Sequence, residues 1–307
     1  MRDHNESNLT DAVLAACAGA TDPRTKTIVD SLVRHLHGFV RDVSLTNEEW
    51  FAAVQFLAAA GQMCNERRNE FILLSDLLGV SMLVDAISNR LPAEATQTTV
   101  LGPFFDDRAP VMPYGGHIGR PEDGAPCVVS GRVLDLTGNP VIGAELNVWQ
   151  ANEEGFYDSA DPRQPDINLR GKFQSGADGT YCFVGVKPEA YEVPTDGPGG
   201  RLLAATGRKV FRPAHIHLMV SAPGLRTIVT HVFVEGDPHL DADPVFGTKE
   251  ALIVPFTRVA EAGELVGLGL TGPAYRVAFN VVLAPEAALG APPADAPNAA
   301  ASHAAVH

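Results

Sequence analysis

Between Cys127 and Leu283 the chain is a succession of short apolar runs broken by turn residues. Cys127–Leu136, Val141–Gln150, Lys172–Ser175, Thr180–Val186, His215–Ser221, Thr227–Val234 and Tyr275–Leu283 all have strand length and strand composition. Thr137-Gly138-Asn139-Pro140 turns the chain, and Asp178-Gly179 is a hairpin-type turn between two of the runs. Many short strands punctuated in this way predict an antiparallel β-sandwich. Two long polar loops interrupt it, Glu153–Gly171 and Pro188–Arg212, and long ordered loops in a compact domain tend to carry function.

The segment before the strands is helical. In Thr27–Val43 the apolar residues Ile28, Leu32, Val33, Leu36, Phe39 and Val40 recur every three or four positions. Thr46-Asn47-Glu48-Glu49 is a capping box opening a second helix, and Asn69–Asn89 predicts a third. Three helices enclose little core, so their apolar faces are expected to pack on a second domain or a partner chain. The expected organisation is α+β, mainly β. A flexible N-terminus (1–22) precedes a helical and linker region (23–100), the strand-rich domain (101–283) and a disordered Ala/Pro-rich tail (284–307).

Composition narrows the function. Net charge is −14, and no basic patch speaks for nucleic acid. No apolar run approaches the roughly 20 residues of a membrane span. Asp3, Glu6 and Asp11 precede the small-residue run at Ala12–Ala20, which argues against a signal peptide. The four cysteines match no zinc or disulfide spacing, and the chain reads as a reduced cytoplasmic protein.

On the strand that begins near Phe211, His215 and His217 share one face, while Ile216 and Leu218 point into a core. Taken alone the pair fits either metal ligands or ordinary sheet histidines. Two of the five tyrosines, Tyr157 and Tyr191, sit in the long loops leading to this strand. Two phenolates with two imidazoles are hard donors that suit Fe(III), whereas zinc more usually takes His, Cys or a carboxylate. A zinc site built from His215, His217 and Asp158 is therefore an alternative, as is a non-catalytic module in which these residues merely pack.

Glu154-Gly155-Phe156-Tyr157-Asp158, Asp196-Gly197-Pro198 and Arg212-Pro213-Ala214-His215-Ile216-His217 together resemble the intradiol ring-cleavage dioxygenases, with a step of 34 positions from Tyr157 to Tyr191 and of 24 from Tyr191 to His215. Leu101-Gly102-Pro103-Phe104 and Phe71–Gly79 add to the resemblance, which covers roughly residues 25–283. Gln62-Met63-Cys64, Arg67-Arg68, Asp76 and Val229–Val234 look most like the members that cleave hydroxyquinol (1,2,4-trihydroxybenzene), with the catechol- or chlorocatechol-cleaving members as the alternative.

The resemblance implies that Tyr157, Tyr191, His215 and His217 hold one non-haem Fe(III) per subunit, with an aromatic diol or triol and O2 as substrates. It implies catalytic roles for Tyr191, as a proton acceptor, and for Arg212, as a cation over the substrate ring. His231 stands where catechol-cleaving relatives tend to carry Gln, and it reads as a donor, a proton relay or a packed histidine. Substrate contacts carry over to Leu73, Asp76, Val100, Leu101, Gly102, Pro103, Phe104, Val193, Pro194, Arg212 and Val245. Asp76 bears on specificity, because a carboxylate among aliphatic groups needs a donor that a third hydroxyl would supply; it could equally cap a turn or face solvent. The resemblance also implies a homodimer through the N-terminal helices and allows a phospholipid at that interface.

Overall fold

The computed structural model describes residues 3–65, 68–260 and 263–288. The chain divides into two compact units between Ala59 and Ala60. The first unit contains α1 (Leu9–Ala16), α2 (Pro23–Asp42) and most of α3 (Asn47–Met63). Asp22 caps α2 by accepting from the backbone of Arg24 and Thr25. The predicted capping box forms: Thr46 N donates to Glu49 Oε2 (2.9 Å), and Glu49 N donates to Thr46 Oγ1 (3.2 Å). The N-terminal stretch contains the ordered helix α1, tied to α2 through Thr10 Oγ1 and His37 Nδ1 at 3.0 Å. Ile28, Leu32, Leu36 and Phe39 of α2 and Trp50, Phe51 and Leu57 of α3 are exposed.

The second unit opens with α4 (Glu70–Leu77) and α5 (Val80–Ser88). The single helix expected over Asn69–Asn89 is in fact two, bent by 77°. Gly79 lies between them at φ +72°, a left-handed conformation that glycine adopts freely and that ends a helix. Among the described residues no single helix is long and apolar enough to cross a membrane.

The strands are β1 (Gly116–His117), β2 (Pro126–Asp135), β3 (Glu145–Gln150), β4 (Arg170–Gln174), β5 (Thr180–Val186), β6 (Tyr191–Glu192), β7 (Phe211–Arg212), β8 (His215–Ala222), β9 (Leu225–Val234), β10 (Ile253–Val254), β11 (Thr257–Val259), β12 (Ala274–Ala278) and β13 (Val281–Leu283). One sheet has the order β10-β9-β8-β3-β4; another has β1-β5-β2-β12-β11, with β13 also on β2; β6 pairs with β7. Helix α6 (Pro198–Ala205) lies in the second long loop.

Three expectations need correction. The sheets are mixed, not antiparallel: β1 with β5, β9 with β10, and β2 with β12 and β13 run parallel. Strands joined by a tight turn, such as β8 and β9, must be antiparallel, but partners far apart in the chain can return in either direction. Asp178-Gly179 does turn the chain, yet it carries β4 of one sheet into β5 of the other and closes no hairpin. The run Tyr275–Leu283 breaks at Phe279-Asn280, whose groups are occupied sideways: Phe279 O accepts from the Tyr181 hydroxyl (2.6 Å), and Asn280 Oδ1 accepts from Arg132 N (2.9 Å).

One apolar core draws on both sheets: Leu146, Val148, Ile216, Leu218, Val220 and Val232 from the first, and Val129, Val133, Phe183 and Val277 from the second. Alternation along β8 then places His215 and His217 on the face turned away from that core. The expected tail disorder falls outside the described residues from position 289 on, as does Arg67 of the Arg67-Arg68 pair.

Candidate active site

Strand register assembles the site. Directly opposed residues of antiparallel neighbours share a face. Arg170 of β4 lies opposite Trp149 of β3, Trp149 opposite His217 of β8, and His217 opposite His231 of β9. These four, with His215 two residues from His217, form a row across one sheet face. The Trp149 ring stacks on His217 (4.7 Å, 15°), and His231 lies 4.2 Å from His217 on the other side. All five are buried.

The two long loops and the 99–105 segment close over this row. His217 Nε2 lies 3.1 Å from His215 Nε2 and 3.0 Å from the Tyr157 hydroxyl, which is 3.5 Å from His215 Nε2. His215 Nδ1 donates to the Pro213 carbonyl at 2.6 Å, which leaves the Nε2 lone pair directed at the cluster. Tyr191 sits beside them: its ring is 5.5 Å from that of Tyr157, and its hydroxyl accepts from Arg212 Nη1 at 3.3 Å. The four residues singled out as metal ligands are thus brought together. The nitrogens of His215, His217 and His231 also lie within 4.8 Å of one another, so His231 belongs to the cluster. Its Nδ1 is bonded to Thr99 Oγ1, while its buried Nε2 and His217 Nδ1 have no partner among the described residues.

The electrostatics fit a cation. Burial lowers the His215 pKa to about 3, and Arg212 adds to the shift. His217 is likewise held well below the usual histidine range by burial and then by His231 and His215. Both imidazoles are therefore neutral donors at neutral pH. Burial, and then Tyr191, push the Tyr157 phenol well above its ordinary range, against the charges of Arg212 and Arg170. A metal ion at the convergent donor atoms reverses that balance by favouring the phenolate.

Arg212 is buried and committed in several directions. Its Nε donates to Asp243 Oδ1 at 3.1 Å, and its Nη1 also reaches His215 Nε2 at 3.2 Å. Burial opposes its charge, but Asp243 and the two phenols keep it firmly protonated. Asp243 is fixed in turn by the backbone N–H groups of Val245 (3.3 Å) and Gly247 (3.0 Å). Asp158 is not free to bind zinc beside the histidines. Both its oxygens are held by Arg170, at 2.7 Å from Nε and 2.5 Å from Nη2.

The residues carried over as substrate contacts also converge. Leu73, Val100, Val193 and Val245 pack with Leu77 and Leu203 in one small apolar cluster. Leu73, Pro103, Phe104 and Pro194 line a cavity of about 390 Å³. Asp76, Val100, Leu101 and Gly102 line another of about 500 Å³. Phe104 stacks on Tyr157 (4.2 Å, 16°). Gly102, at φ +73°, would place a Cβ 3.4 Å from the His217 ring. Asp76 does not face solvent: it is 3% exposed, its side chain is hydrogen-bonded to Ser81 across the turn between α4 and α5, and burial raises its pKa against that bond and the charge of Arg212.

Sequence reasoning missed Trp149, Arg170, Thr99 and the anchoring role of Asp243. Trp149 and Arg170 could have been found by aligning strands on His217, but the order of strands in the sheet is not a local signal. Asp243 lies two residues before Val245 and had no periodicity to mark it.

The family model described as "Catechol dioxygenase N terminus" matches residues 22–96, and the one described as "Dioxygenase" matches residues 101–285. The chain is 48% identical over 281 residues to a hydroxyquinol 1,2-dioxygenase of Rhizobium sp., covering 91% of this chain and 95% of the relative. It is 44% identical over 285 residues to a 6-chlorohydroxyquinol 1,2-dioxygenase of Cupriavidus pinatubonensis, covering 93% and 99%. The crystal structure of a hydroxyquinol 1,2-dioxygenase from Pseudomonas putida superposes with a TM-score of 0.84 at 46% identity, over 92% of this chain and 99% of that one.

Proposed function

The chain belongs to the intradiol ring-cleavage dioxygenase family, and from that premise we propose that it cleaves hydroxyquinol between adjacent hydroxyls, adding both atoms of O2 to give 3-hydroxy-cis,cis-muconate. The observation that carries this reading is the meeting of Tyr157 Oη, His215 Nε2 and His217 Nε2 within 3.5 Å of one another, with Tyr191 alongside. Tyr157, Tyr191, His215 and His217 would hold one Fe(III). A bound ferric ion supplies Lewis acidity that draws the substrate into its ionised form and readies the ring for O2.

The remaining roles fall to the protein. Tyr191 Oη, within reach of the Arg212 guanidinium, would be a phenolate when it holds the metal, and in that form it can take a proton from a substrate hydroxyl. Arg212, pinned by Asp243, presents a fixed cation to the negative charge that develops on the ring. His231, anchored by Thr99, orients the His217 ring from behind. Leu73, Val100, Val193 and Val245 form an apolar wall, with Leu101, Gly102, Pro103, Phe104 and Pro194 closing it and keeping water out.

Asp76 supports the triol. A third hydroxyl donates to its carboxylate, whereas catechol leaves a buried acceptor short of a partner. Oxygen uptake over hydroxyquinol, catechol and chlorocatechols tests this directly. The wild type should prefer hydroxyquinol, and Asp76→Ala should lower the hydroxyquinol-to-catechol ratio of kcat/KM by about a hundredfold, close to 3 kcal/mol. A wild type that turns over catechol faster would assign it instead to the catechol-cleaving members.

The finer organisation follows the same reading. The two sheets pack face to face as a sandwich, within a catalytic domain at 101–283 that follows a helical dimerisation and linker domain at 23–100. The exposed Leu32, Leu36, Phe39 and Trp50 support a homodimer through the N-terminal helices, and the same apolar side chains would suit a phospholipid's acyl chains. The protein would work in the cytoplasm.

A further inference from the structure

Arg170 lies outside the residues assigned to the reaction, yet it is one of the most committed side chains in the molecule. It is 3% exposed and spends its guanidinium on two different loops. Nε and Nη2 grip Asp158, the residue after Tyr157, at 2.7 and 2.5 Å. Nη1 donates to the carbonyl of Phe104 at 2.5 Å. Asp158 passes the restraint on, accepting from the backbone of Ser159 (2.7 Å) and Asn168 (2.9 Å). Phe104, whose carbonyl is held, and Tyr157, the residue before the held Asp158, are the pair whose rings stack at 4.2 Å.

The backbone is bent to deliver this side chain. Leu169, immediately before Arg170, has φ +53°. A branched residue in the left-handed region is strained, and such strain persists where its surroundings impose it. Leu169 is held by its N–H to Ile118 O (2.8 Å) and by its carbonyl accepting from Gln150 N (3.1 Å). Arg170 then enters the sheet opposite Trp149, which stacks on His217.

We propose that Arg170 is a positioning residue that locks the Tyr157 loop and the Phe104 wall into one unit, so that a donor to the metal and a face of the substrate pocket keep a fixed spacing. This rests on the reading of Tyr157 as an iron ligand and of Phe104 as a substrate contact. A lysine delivers one charge from one point and cannot hold both loops, whereas the planar guanidinium can.

The test compares iron-loaded wild type, Arg170→Lys, and the neutral double variant Asp158→Asn/Arg170→Met, in which no buried charge is left unpaired. For each, the iron content, the visible absorption band, KM and kcat for hydroxyquinol and the melting temperature are measured. At matched iron content both variants should show a displaced or broadened band and a kcat/KM reduced by about tenfold to a hundredfold, mostly through KM. The double variant should lose the spacing even where its melting temperature returns to that of the wild type. Either folded variant with the wild-type band and wild-type KM overturns the inference and leaves Arg170 with a stabilising role alone. A wild type that binds iron without any visible band overturns the ligand reading first, and the inference with it.

Discussion

Tyr157→Phe should purify with less than about a tenth of an iron per chain and with turnover of hydroxyquinol reduced by about a thousandfold or more. The substitution is mild everywhere except at the metal. Phenylalanine keeps the ring and its stacking on Phe104 at 4.2 Å. What is lost is one oxygen, 3.0 Å from His217 Nε2 and 3.5 Å from His215 Nε2. In the metal-free protein that oxygen belongs to a buried phenol whose proton is held tightly by burial. Removing it costs the metal-free fold little, and its melting temperature should move by no more than about 3 °C, roughly 1 kcal/mol. His215→Ala should match it in iron loss. Iron content, the visible spectrum and apoprotein melting read these effects separately. Full iron occupancy in Tyr157→Phe would remove this residue from the ligand set.

Arg212→Met should lose both stability and rate, by separable routes. The side chain is fully buried against Asp243, so truncating its charge leaves a carboxylate without its counter-ion. Breaking a buried pair in that way costs about 3–5 kcal/mol. The value should fall near the lower end, because Asp243 still accepts from Val245 and Gly247. Loss of the cation beside Tyr191 should reduce kcat by about a hundredfold to a thousandfold. Adding Asp243→Leu removes the stranded charge and should restore much of the melting temperature while leaving the rate low. Arg212→Lys should recover stability better than rate, since an ammonium replaces the charge but not the fork that reaches Asp243, Tyr191 and His215 together. A double variant with both stability and turnover restored would place Arg212 outside the chemistry.

Much of this site was legible in the sequence because its central element is local. Alternation along a strand puts His215 and His217 on one face whatever the rest of the sheet does, and Ile216 and Leu218 indeed lie in the core. The capping box at Thr46 and Glu49 was legible for the same reason. The features that escaped are those set by distant partners. Parallel pairing of β2 with β12 and β13 depends on a crossover that no single strand encodes. Arg170 reads as an ordinary strand residue until β4, β3 and β8 are placed side by side. Gly79 was a visible breaker, but the apolar periodicity on both sides of it masked the bend.

The chemistry itself is tested most directly by reacting the iron-loaded protein with hydroxyquinol under isotopically labelled oxygen and weighing the ring-opened product. One O2 should be consumed per hydroxyquinol, and the product should carry two labelled atoms, one in each new carboxyl group, from a protein whose visible band vanishes with its iron. A product labelled at only one position, or oxygen consumption that ends in a quinone with the ring intact, would contradict this chemistry.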